Sequence, residues 1–241
     1  MRLNRPVKVA LILVAAMAVL ATAGTWVYIH LIEGDAPDRL SLSSGTGSDG
    51  GSTTTTASAA SAASGPSAGS IEGTWKVASG SQAGYRVKEV LFGQNAEAVG
   101  RTSSVTGSIT ISGTTVASGS FTVDLRTVSS DQDRRDGQFQ GRIMNTSTFP
   151  TATFKLTQPI ALASIPDEGK EVTANATGQL TMHGVTKPAA TTVQAQRSGS
   201  SIKVAGTIPV TFSDYGIDNP SAGPARVGDN GEVEFLLVLS K

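Results

Sequence analysis

Between Ile71 and Lys241 the chain has one histidine, His183, and nowhere does it have a cysteine. Hydrolysis or group transfer needs a nucleophile with a base, a metal cluster, or paired carboxylates in a cleft. This shortage argues against an enzyme. The side chains that could do chemistry fall into three small groups. His183 stands beside Gly184, where an imidazole satisfies backbone groups of a turn; orienting a polar group or ligating haem iron are its competing roles. Asp131, Asp133 and Asp136 alternate with Arg134 and Arg135, but the glycine and closing glutamate of a calcium loop are missing, which leaves a solvated helix face. Asp124 and Arg126 lie on the strand face opposite Phe121, Val123 and Leu125 and pair at the surface. No metal site is expected.

The elements around these residues read as strands. Apolar residues alternate at period two through Tyr85 and Val87; Ile109 and Ile111; Phe121, Val123 and Leu125; Ile202 and Val204; Ile208, Val210 and Phe212; and Val233, Phe235, Leu237 and Leu239. Turn-forming pieces separate or bend them at Ser112-Gly113-Thr114, Ala117-Ser118-Gly119, Asp167-Glu168-Gly169 and Ser198-Gly199-Ser200. In LTMHGVTKPA, Leu180 to Ala189, Gly184 can take positive φ and Pro188 pushes Lys187 toward extended geometry, which predicts a hairpin whose second strand runs to Gln196. One helix is predicted over Ser130 to Arg142, capped by Ser130 and with Phe139 and Ile143 four apart. A further short turn is predicted at Ser213 to Gly216. The pattern is all-β and antiparallel, and periodicity alone leaves a barrel and a sandwich both open.

LTMHGVTKPA and FTVDLRTVSSDQDRRDGQFQGRIMNTSTFPTATF, Phe121 to Phe154, follow one another in an order that resembles the YceI-like family, as does an opening GYRVKEVLFG from Gly84 to Gly93. The resemblance spans residues 71–241. It implies a lipocalin-like β-barrel of about eight strands with one or two short helices. It also implies a polyisoprenoid-type lipid, such as an isoprenoid quinone or polyprenyl carrier, as ligand. The cavity-lining residues expected are Phe121, Val123, Leu125, Phe154, Leu180, Met182, Val210, Phe212 and Phe235. YRVKEV stands where many relatives have an apolar and histidine-containing strand, so ligand length or head group is expected to differ.

The first third of the chain has a different composition. From Val9 to Ile32 there is no Asp, Glu, Lys or Arg, a length sufficient to cross a hydrocarbon core of roughly 30 Å as a helix. Arg2, Arg5 and Lys8 precede it, which places residues 1–8 in the cytoplasm and the rest outside. Trp26 and Tyr28 suit a membrane interface, so residues 9–32 are expected to be a single-pass signal anchor. Cleavage after Ala21-Thr22-Ala23, giving a secreted protein, is the alternative. Residues 33–70 are rich in Ser, Thr, Gly and Ala and are expected to form a disordered tether.

Charge narrows the partners. The chain carries 19 basic and 19 acidic side chains, so no basic footprint for nucleic acid exists. The expectation is a membrane-tethered, extracytoplasmic lipid-binding domain that needs no cofactor. Two rivals stand beside it: a fully packed envelope interaction module using loops such as Asp214 to Gly231, with protein partners unknown, and an enzyme on a lipid head group using His183, Asp218 or Asp229.

Overall fold

A computed structural model of the chain describes residues 36–45, 71–223 and 225–241. The apolar run of residues 9–32 lies outside them, as does most of the tether. Twelve strands form one antiparallel sheet: β1 (Gly73–Val77), β2 (Gln82–Leu91), β3 (Gln94–Thr102), β4 (Val105–Ser112), β5 (Thr115–Asp124), β6 (Thr151–Leu156), β7 (Ile160–Ala161), β8 (Glu171–Met182), β9 (Val185–Ser198), β10 (Ser201–Thr211), β11 (Ala225–Val227) and β12 (Asn230–Ser240). β1 pairs with both β4 and β12, which closes the sheet on itself.

The closed sheet is a barrel of eight staves. β1 and β2 run in the same direction along β12, and β3 and β4 continue one another in the same way, so each couple makes one long, interrupted stave. Closure leaves the long strands with few free edges. The sandwich alternative is thereby excluded. Ala117-Ser118-Gly119 does not end a strand: it bends β5 at a bulge, where the register slips between Thr110 and Ile111.

The predicted hairpin is present. Met182 pairs with Val185 across His183 and Gly184, at φ of 50° and 76°, the all-positive turn whose twist matches its flanking strands. A side chain at position 184 would put its Cβ 2.6 Å from the Phe149 ring, so close packing as well as φ requires glycine there. Counting outward from Met182–Val185, Pro188 falls in a pair whose backbone N–H would point away from β8. On that side β9 pairs with β10 only from Val193 onward, so the missing donor costs no ladder bond.

The helix is shorter than predicted. α1 spans Asp133–Gln138 and runs into one wide π turn, Phe139–Ile143. Ser130 is not its cap: the cap position is Gln132, and the Asp136 carboxylate reaches back to accept from Ser130 N and Oγ at 2.8 and 2.6 Å. Leu125 and Phe212, read from sequence as strand residues, instead begin 3-10 turns at Leu125–Thr127 and Phe212–Tyr215.

Of residues 33–70, expected to form the tether, the structure describes residues 36–45. They cross the outside of the barrel and end in a 3-10 turn, Leu42–Gly45. Leu40 is buried against Ala205 and Leu236, with Leu42 beside it. The composition of residues 33–70 hides this docked strap, because two leucines and a few backbone carbonyls suffice when the barrel wall already presents their complements.

Candidate functional site

The barrel interior is not filled. Two cavities lie end to end within it, one of about 200 Å³ and one of about 540 Å³. Ala83, Val123, Ala152 and Val233 border both, so the two adjoin at a waist of small or β-branched side chains. The volumes suit a small apolar ligand or part of a longer one.

The smaller cavity is almost wholly apolar. Phe121 on β5, Phe154 on β6, Leu180 on β8 and Phe235 on β12 line it, with Ile109, Ile202 and Leu237. Phe121 and Phe154 face one another in register, as do Phe154 and Leu180. These strands bring their inward positions together because alternate residues share one face. Its far end is bounded by Leu162, Ile165 and Pro166 in the connection between β7 and β8.

The larger cavity has a mixed wall. Val123, Leu125, Met182, Val210 and Phe212 supply the apolar part, and α1 with its π turn covers one side through Arg134, Arg135, Gln138, Phe139 and Ile143. Tyr85 stacks on Phe139 with ring centroids 4.9 Å apart and planes 18° apart. The Tyr85 ring lies over Gly100, where any Cβ would come within 2.4 Å of it. Burial pushes the Tyr85 phenol well above its usual range, which keeps it neutral and a hydrogen-bond donor. Glu89 lines the same cavity and pairs with Arg135 at 3.7 Å.

All nine residues expected from the sequence therefore lie on a cavity wall, but they do not form one set. Five belong to the smaller cavity and five to the larger, Val123 being shared. Leu125 and Phe212 reach the wall from 3-10 turns. Sequence reasoning missed Tyr85, Phe139 and the waist residues Ala83 and Ala152. The alternation of Tyr85 with Val87 carried a signal for Tyr85; nothing in sequence marks an alanine as a waist.

His183 and the acidic residues Asp124, Asp131 and Asp136 are engaged away from the cavities. His183 borders neither cavity; its Nδ1 lies 3.0 Å from the Tyr215 carbonyl and its ring meets Phe149 edge-on at 4.9 Å. This ties the β8–β9 hairpin to the turn after β10 where those two strands have parted. Asp131 pairs with Arg135, and Asp136 holds the start of the helix. Asp124 pairs with Arg126 through bonds of 2.7 and 2.9 Å, which holds its carboxyl below the usual range, and neither lines a cavity.

The model of the YceI-like domain matches residues 75–239. Among solved structures, a polyisoprenoid-binding domain from Saccharophagus degradans, implicated in plant cell wall breakdown, superposes with a TM-score of 0.56 at 17% identity, covering 70% of this chain and 98% of that one. Burkholderia cenocepacia BcnA gives a TM-score of 0.49 at 21% identity, covering 64% and 95%. A YceI protein of Campylobacter jejuni gives 0.43 at 17%, covering 56% and 82%. No curated protein matches the chain.

Proposed function

The chain belongs to the YceI-like family, and on that premise we propose that it binds a polyisoprenoid-type lipid inside the barrel, without catalysis, while residues 9–32 hold it at the outer face of a membrane. The observation that carries this reading is the pair of cavities, one apolar and one with a mixed wall, adjoining at Ala83, Val123, Ala152 and Val233. A chain threaded through that waist would be shielded from water along its length, at roughly 0.8 kcal/mol per buried CH₂. The apolar end would lie among Phe121, Phe154, Leu180 and Phe235. The polar end would sit near Tyr85 and the Glu89–Arg135 pair, the one mixed wall of the interior. The family neighbour described as polyisoprenoid-binding supports the ligand class. A packed interaction module would require a filled interior, which the two voids do not provide.

Organic extraction of the purified full-length protein, followed by mass spectrometry, is expected to recover a stoichiometric lipid with an isoprenoid chain. An empty extract together with no uptake from vesicles would overturn the reading. Ala152→Trp, which places an indole in the waist, is expected to abolish recovery of long-chain lipid while the barrel stays folded.

A further inference from the structure

The larger cavity opens beside the tip of the β2–β3 hairpin, where Leu91 and Phe92 line it together with Ala222 and Ala225. Phe92 is the most exposed large apolar residue among the described residues at 52%, and Val90 beside it is 39% exposed. Phe92 also sits at φ 50°, a left-handed conformation that bulky residues rarely adopt and that Asn or Gly would take more readily. Exposure to water and a left-handed backbone each cost stability at this phenylalanine, which stands at the cavity mouth.

The strap formed by residues 36–45 says where that tip points. Arg39 pairs with Glu232, Leu40 packs on Leu236, and the Leu42 carbonyl accepts from Lys203 Nζ at 3.3 Å, Lys203 being in register with Val238. The strap thus starts at the level of Glu232 and travels along β12 to the level of Val238, about 20 Å at the rise of a strand. Its start is the end nearer the hairpin tip: Glu232 is in register with Arg86, and β2 runs on from Arg86 to Leu91, just before Phe92. From residue 36 back to Ile32 only four residues remain, at most about 14 Å of chain. Were residues 33–70 all free, the r.m.s. span would be about 35 Å and would favour no orientation.

We propose that the docked strap holds the barrel with its larger cavity facing the bilayer, and that Val90 and Phe92 insert into the lipid surface as the docking tip around that mouth, with the buried Leu91 lining it between them. Lipid then passes between bilayer and cavity without crossing bulk water. Arg226, exposed and in register with Val90, stands where its guanidinium can meet headgroup phosphates. The proposal rests on residues 9–32 being a membrane anchor, as in the preceding section.

The absence of cysteine makes site-specific labelling direct. Full-length protein carrying Gln94→Cys, labelled with a polarity-sensitive fluorophore, is reconstituted into phosphatidylcholine vesicles and compared with Ser164→Cys at the opposite barrel end. After flotation, the probe at position 94 is expected to brighten several-fold and to be quenched by spin-labelled lipid, while that at 164 stays water-like. Adding Phe92→Asp is expected to remove the brightening, and adding Leu40→Asp, which releases the strap, to diminish it, with unchanged near-ultraviolet circular dichroism confirming the fold. Protein that floats with position 94 water-like, or with both positions alike, overturns the docking geometry and leaves the anchor standing. Protein that fails to float overturns both. Lipid recovery by extraction is read separately, so loss of the ligand reading is not confused with loss of the orientation.

Discussion

The two faces of β12 solve opposite problems within one strand. Inward, Val233, Phe235 and Leu237 present apolar side chains to the cavities. Outward, Glu234 is wholly buried on the barrel's outside, where it accepts from Arg86 Nε at 3.2 Å and from Arg101 Nε at 2.7 Å. Arg86 is 4% exposed and also pairs with Glu97 at 2.5 Å. The strap completes this cluster, its Pro37 and Asp38 carbonyls accepting from the Arg86 and Arg101 guanidinium groups and its Arg39 pairing with Glu232. The inner face is thus apolar and partly empty, whereas the outer face is charged and densely satisfied. A dense ion cluster lies outside the barrel, and room for a ligand inside it.

The sharpest test of that contrast is Glu234→Ala. Removing the carboxylate takes one charged partner from each of two arginines, one of them nearly fully buried, and is expected to lower unfolding free energy by about 3 kcal/mol or more in urea titration. Its inward neighbour provides the control. Phe235→Ala, in a site whose ring already borders a void, is expected to cost about 2–3 kcal/mol, below what a tightly packed phenylalanine loses, because fewer contacts are forfeited. Equal losses at the two positions would break the comparison.

A smaller effect separates the faces by pH. The Tyr85 phenol is raised by burial above its usual value near 10, so the unfolded chain loses this proton first as pH rises. The stabilisation is complete below about pH 10 and declines from there toward the folded-state value, at up to about 1.4 kcal/mol per pH unit. Tyr85→Phe is expected to flatten that alkaline slope in unfolding titrations. Smallest of all is Leu40→Ala, which weakens only the strap. A loss of about 1 kcal/mol in docking is expected, seen as roughly fivefold faster proteolysis within residues 36–45. A collapse of the whole barrel instead would mean that the strap is part of the folding unit.

The period-two alternation made the inward face readable in advance: Phe121, Val123, Phe154, Leu180, Met182, Val210 and Phe235 all reach a cavity because strand geometry sends every second residue to one side. The hairpin at His183 and Gly184 was readable for a similarly local reason, since Gly184 can take positive φ and Pro188 pushes Lys187 toward extended geometry. Glu234 and Leu236 were not readable, because in an alternating strand the outward phase is normally wet and a buried carboxylate there has no local signature. Leu40 gave no signal either, lying in a stretch whose composition argues for disorder.

Local rules, then, determined the antiparallel strands, the turns, the single short helix and the apolar character of one face, and family resemblance named the barrel. Only the tertiary structure decided that the interior stays open at a waist of Ala83, Val123, Ala152 and Val233, and that a polar N-terminal strap lies against a buried ion cluster. Both depend on distances between residues far apart in the chain. Periodicity reports which way a side chain points, whereas a void or a long-range ion pair depends on what the opposite wall leaves uncovered.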